Sequence, residues 1–196
     1  IANNYELPVV TVDRAANGGN VVTHIASDNE VGGAMAAEYL IEKLGGKGNI
    51  VELEGTAGSS AARDRGKGFD DRIEESDMKI IAKQIADFDR TQGLTVMENI
   101  LQSKNDIDAV FAQNDEMALG AQKALEDMGM KDVLIVGFDA TDDAVEAVKK
   151  GTMAATVAQQ PLLIGEAAVD AVNSILKGEK VDSFIPVELK LITNEK

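Results

Sequence analysis

The side chains suited to chemistry fall in one recurring place, directly after short apolar runs. Asp13 and Arg14 follow Val9–Val12. A small-residue loop from Gly55 to Ser60, then Arg63 and Arg65, follows Ile50–Leu53. Asp87, Phe88, Asp89 and Arg90 follow Ile80–Ala86, and Gln113, Asn114 and Asp115 follow Val110–Ala112. Phe138 and Asp139 follow Val133–Gly137, and Gln159 and Gln160 follow Ala154–Ala158. Carboxylates accept hydrogen bonds, guanidinium groups donate them, amides do both, and charged or bidentate partners make the stronger bonds. This set suits a polyhydroxylated ligand such as a sugar. Each hydroxyl donates and accepts, and a phenylalanine face meets the C–H surface. Taken singly, Asn114, Asp115, Asp139 and Thr141 read better as helix caps. Phe88 and Phe138 singly read as core, and Arg65 as a solvated helix residue. Their convergence after successive strands carries the binding reading.

The apolar runs read as strands over Pro8–Val12, Asn49–Leu53, Lys79–Ala86, Ala109–Ala112, Val133–Gly137 and Ala154–Ala158. Several are apolar nearly throughout, as strands are when both faces of a sheet are covered. Helical spacing predicts helices over Val31–Leu44, Ala62–Glu74, Gln92–Ser103, Asp115–Met128, Asp142–Lys150 and Leu162–Lys177. Glycine stops follow several of them, such as Gly151 after Lys149-Lys150. Strand and helix alternate. The expected class is therefore α/β, with doubly wound parallel sheets and right-handed crossovers. In such sheets ligands bind outside the carboxyl ends of the strands, where the polar residues gather. The tail, Phe184–Thr193, breaks the rhythm and reads as strand-like.

Composition closes off several other chemistries. The 196 residues carry 34 acidic and 19 basic side chains, a formal net charge of −15, which repels nucleic acid and anionic lipid alike. No apolar run approaches the roughly 20 residues that span a bilayer. Without cysteine there is no disulfide, thiol nucleophile or cysteine-bound metal. The single histidine, His24, lies in the alternating run Val21–Ala26 and reads as structural, so a serine triad or multi-histidine metal site is not expected. The loop Gly55–Ser60 lacks the P-loop lysine, and Asp139–Asp143 lacks the glycine and distal glutamate of a calcium loop. No catalytic residue, metal or cofactor is expected. The chain opens on Ile1 with no visible secretion signal, and the expectation is a processed chain or part of a longer one.

Longer motifs carry a family resemblance. Val12-Asp-Arg14, His24–Asn29, Ser60–Gly66, Ala86–Arg90, Phe111–Gly120, Val136–Asp139 and Leu176–Val181 resemble the ribose-binding branch of the type I periplasmic binding proteins of bacterial ABC transporters. The resemblance runs from end to end. It implies two lobes joined by three crossings, with the sugar held in the cleft. The lobes would be residues 1–27 with 160–187, an N-terminal lobe missing its first βα units, and 28–159 with 188–196, the C-terminal lobe. Carried over by position, Asp13, Arg14, Arg65, Asn114 and Asp139 bind sugar hydroxyls. Phe88 and Phe138 sandwich the ring, and Gln159 stands at a crossing. The implied role is capture of D-ribose in the periplasm and delivery to the membrane subunits of an ABC importer, with a chemoreceptor as a further partner. Two alternatives stay open: another small aldose such as allose, and the sugar-effector domain of a transcription repressor with the same fold.

Overall fold

The computed structural model describes residues 1–194; the last two residues of the 188–196 stretch lie outside the described residues. After a short 3-10 turn at Ala2–Tyr5 come β1 (Val10–Val12), β2 (Thr23–Ser27), α1 (Asn29–Leu44), β3 (Lys47–Glu54), α2 (Ser60–Glu74) and β4 (Asp77–Ile85). There follow α3 (Arg90–Leu101), β5 (Ala109–Ala112), α4 (Asp115–Asp127), β6 (Leu134–Asp139) and α5 (Asp142–Lys150). The chain ends with β7 (Ala155–Ala158), α6 (Pro161–Leu176), β8 (Phe184–Val187) and β9 (Lys190–Thr193). The α/β class with parallel sheets flanked by helices is as the alternation predicts.

The chain forms two compact units and passes between them three times. The first comprises Ile1–Asn29 and Gln159–Leu189. Its sheet has the order β1-β2-β8, parallel throughout, and α6 packs on it. Its small core gathers Ile25, Ile164, Ala171 and Val187. His24 is structural: Nδ1 lies 2.9 Å from Thr11 Oγ1, and the ring stacks on Phe184.

The second unit comprises Glu30–Ala158 and the segment from Lys190 on. Its sheet has the order β4-β3-β5-β6-β7-β9. β3 to β7 pair in parallel and β9 runs antiparallel to β7. The order reverses direction between β3 and β5, the position beside which sheets of this kind bind ligands at the carboxyl ends of their strands. The core lies between sheet and helices, with Val51, Leu53, Val110, Met97, Met117 and Val148 buried in it. Side-chain-free positions bring α2, the helix carrying Arg65, close to α1. A methyl group on Gly68 would lie 1.9 Å from the Glu30 carbonyl oxygen, and one on Gly33 would lie 2.0 Å from that of Arg65.

Two elements differ from the sequence reading. Thr23–Ser27 is a strand, whose short alternation around His24 gains its meaning from the neighbours β1 and β8. The strand-like tail is two strands in two sheets, parted at Glu188-Leu189. Strand propensity covers the tail evenly, and only the partners, β2 for one half and β7 for the other, tell the halves apart.

Candidate functional site

In the second unit, five candidates meet at the carboxyl ends of β4, β5 and β6. Arg65, on the second turn of α2, is 4% exposed. Its Nη1 donates to the Gln113 carbonyl oxygen at 2.6 Å and lies 3.5 Å from Asp139 Oδ1. The guanidinium sits over the Phe138 ring, 3.7 Å from its centroid, with the Phe88 ring at 5.9 Å. A planar cation on an aromatic face, desolvated like this, is a stable arrangement of about 2 kcal/mol.

Asn114 caps α4 and also reaches the residue after β4. Its Oδ1 accepts from Met117 N at 2.9 Å and caps α4, and its Nδ2 donates to the Phe88 carbonyl oxygen at 3.1 Å. Phe88 is partly exposed, and its ring lies so close to Gly55 that a methyl group there would meet ring carbons at 2.0 Å. Asp139 is not a helix cap. It ends β6, and its carboxylate is turned to Arg65.

Phe138 departs from the expectation. Its ring is completely buried and one face is occupied by the Arg65 guanidinium, so it has no surface with which to sandwich a sugar. It supports Arg65 instead.

In the first unit, Asp13, Arg14 and Gln159 lie at the carboxyl edge of the three-stranded sheet. Asp13 and Arg14 follow β1, are exposed, and approach each other to 3.7 Å. Gln159 Oε1 accepts from Ser27 Oγ, at the end of β2, at 2.8 Å.

Backbone strain marks the same places. Among the described residues, the non-glycine residues with positive φ are, apart from Glu6, Asp13 (65°), Asp87 (53°), Phe88 (60°), Asp139 (112°) and Ala140 (54°). All five follow or end a strand at its carboxyl end. Each such residue costs about 1–3 kcal/mol, and such strain gathers where a ligand is held.

The sequence offers no role for Glu52 and Lys83, which lie beneath with the strand-end residues Gln113 and Asp115. Glu52, inside β3, is fully buried. It pairs with Lys83 Nζ at 2.8 Å and accepts from Gln113 Nε2 at 2.9 Å. Gln113 Oε1 in turn accepts from Gly55 N at 2.9 Å, so this side-chain amide ties the β3 end to the β5 end, while the backbone carbonyl of the same residue accepts from Arg65. Burial pushes Glu52 up to about 7, against the pull of Lys83. Burial also opposes the Lys83 charge, but Asp70 and Glu52 hold it above the usual lysine range. Asp115, fully buried at the first turn of α4, is pushed up to about 6 by burial, against hydrogen bonds from Thr156 and Thr141. The available signal was a glutamate in the middle of a strand that is apolar on both sides.

Comparison with known proteins places this arrangement. The profile described as "Periplasmic binding protein domain" matches residues 2–180. The chain belongs to the periplasmic binding protein family. It is 58% identical over 193 residues to the "Ribose import binding protein RbsB" of Haemophilus influenzae, covering 98% of this chain and 66% of that protein. It is 50% identical over 195 residues to the protein of the same name in Escherichia coli, covering all of this chain and 66% of that one. Among solved structures, the periplasmic binding protein component of the arabinose ABC transporter from Shewanella sp. ANA-3, bound to α- and β-L-arabinofuranose, matches with a TM-score of 0.92 and 37% identity. That match covers 98% of this chain and 67% of that one. A periplasmic solute binding protein from Actinobacillus succinogenes with bound D-allose matches at 0.90 and 31%, covering 98% and 72%. The chain thus spans about 66% of the length of these curated relatives. Among the described residues no helix is long and apolar enough to cross a membrane.

Proposed function

We propose that this protein is a solute-binding protein that captures D-ribose in the periplasm and delivers it to the membrane subunits of an ABC importer. The carrying observation is the Arg65–Asp139 pair, 3.5 Å apart, with Asn114 and the partly exposed Phe88 beside it. A guanidinium fork donates, a carboxylate accepts, and a sugar hydroxyl answers both at once. Phe88 offers its ring to the C–H face of the sugar, and the Asn114 amide retains one N–H for a hydroxyl. In the first unit, Asp13, Arg14 and Gln159 supply the same chemistry: one carboxylate, one guanidinium and one amide. The lobe assignment taken from the resemblance belongs to this proposal too, with the second unit as the C-terminal lobe. The names of the relatives support ribose and import. A chemoreceptor partner rests on the family resemblance alone. The protein acts by binding rather than turnover, a reading supported by the names of its relatives.

The test is calorimetric titration of the protein at full natural length with D-ribose, with D-allose, L-arabinose and D-glucose as controls. Ribose-selective, saturable binding that Arg65→Ala and Asp139→Ala abolish is expected. Tighter binding of another aldose, or no binding by the unmodified protein, would overturn the assignment. A buried polar site left unpaired by the wrong epimer discriminates strongly, so the preference will be large.

A further inference from the structure

Asp139 ends β6 with a φ of 112°, the largest positive value among the site's non-glycine residues, and hydrogen bonds from neighbouring elements hold the turn that follows it. Asp115 Oδ2 accepts from the backbone N–H of Thr141 at 2.7 Å and from its hydroxyl at 3.2 Å. Asp115 Oδ1 accepts from Thr156 Oγ1 at 2.7 Å, and that same hydroxyl accepts from the Ala140 backbone N–H at 3.2 Å. One buried carboxylate therefore holds both residues that follow Asp139, one directly and one through a hydroxyl on β7. The fit is close: a methyl group on Gly137 would lie 2.2 Å from Asp115 Oδ1.

We propose that Asp115 and Thr156 are positioning residues for sugar binding, locking the Asp139–Thr141 turn so that the Asp139 carboxylate is presented beside Arg65. Neither touches the sugar. A carboxylate is suited to the task because it accepts at both oxygens, whereas a helix cap needs only one acceptor. The strain at Asp139 and Ala140 persists only if the surroundings over-determine it, and three donors on one buried acceptor do so. The cost is a charge buried near the Asp139 carboxylate, which adds to the burial that disfavours ionised Asp115.

This inference rests on the proposed sugar site, and its test separates the two. Thr156→Val keeps the shape of the strand residue and removes the hydroxyl, and Thr156→Ser restores it. Ribose affinity should fall at least tenfold in T156V and recover in T156S, measured well below the melting temperature. In an Asp139→Asn background T156V should cost nothing further, because the residue through which it acts is gone. Equal losses in both backgrounds, or unchanged affinity in T156V, would overturn the proposal. A sugar-independent arm uses the unmodified protein: the Ala140 and Thr141 amides should exchange with solvent as slowly as those inside β5. Fast exchange at both overturns the positioning role. Failure of the unmodified protein to bind ribose counts against the proposed function alone, and the exchange rates then decide the inference.

Discussion

Replacing Asp115 by Asn should change how stability depends on pH, and the size of the change follows from burial. Asp115 titrates at about 6 in the folded protein against an ordinary value of 3.8, because burial disfavours the charge more than its hydrogen bonds restore it. Each pH unit between the two values is worth 1.36 kcal/mol, and a gap of about 2 amounts to about 3 kcal/mol. The acid is favoured in its protonated form by folding. Its contribution is therefore fully present below pH 3.8 and is lost as pH rises through 6. Asn cannot ionise, so the variant is spared that loss. Between pH 4 and pH 7 the stability of D115N should rise relative to the unmodified protein by about 3 kcal/mol. For a chain of this size that is a relative gain of about 6–12 °C in Tm. The assay is a paired set of thermal melts across this range, at low concentration because the net charge passes through zero there. Parallel curves for the two proteins would refute the reasoning, as would a difference that falls with pH.

Gln113→Leu leaves the Gly55 N–H without its acceptor and the Glu52 carboxylate without its amide donor, and should cost about 1–3 kcal/mol in urea denaturation while also weakening ribose binding through Arg65. Phe138→Ala should cost about 3–5 kcal/mol and lower ribose affinity, since it empties a fully buried site and removes the ring under Arg65. Gly68→Ala forces α1 and α2 apart at the Glu30 carbonyl and should cost about 1–3 kcal/mol in the same denaturation assay. Arg90→Ala should cost less than about 1 kcal/mol, although Arg90 bridges Glu116 and Asp143 at 2.8–2.9 Å, because these groups are largely in water.

The α/β class was legible because β5, β6 and β7 are buried on both faces over most of their length and announce themselves as largely apolar runs. β5, Ala109–Ala112, is fully buried over its whole length and was delimited to the residue. β2 was harder: His24 and Ser27 interrupt it, and its alternation gains meaning only from β1 and β8 on either side. In the site, Arg65, Asn114 and Asp139 were legible as polar groups at strand ends, since the backbone alone brings those ends to one edge. Phe138 was misread, because a phenylalanine at a strand end looks the same whether it faces a ligand or lies under a guanidinium. Glu52, Asp115 and Thr156 were legible as residues but not as a network. Their partners lie on neighbouring strands and helices, and one-dimensional spacing does not report which atoms meet there.

The two sheets place unequal demands on the order in which the chain is made. β3 to β7 are laid down one after another, so the larger sheet assembles from near neighbours as a ribosome extends the chain, and each crossover closes a short loop. The smaller sheet pairs His24 with Phe184. β2 must wait, its β8 edge unmade, until the run from β3 to α6 has been synthesised. Long-range pairing of this kind is slow, and a waiting strand edge is an invitation to the wrong partner. β2 is made before the whole β3–β7 run and its partner β8 after it, and that interval is when a nascent chain of this fold most needs a chaperone.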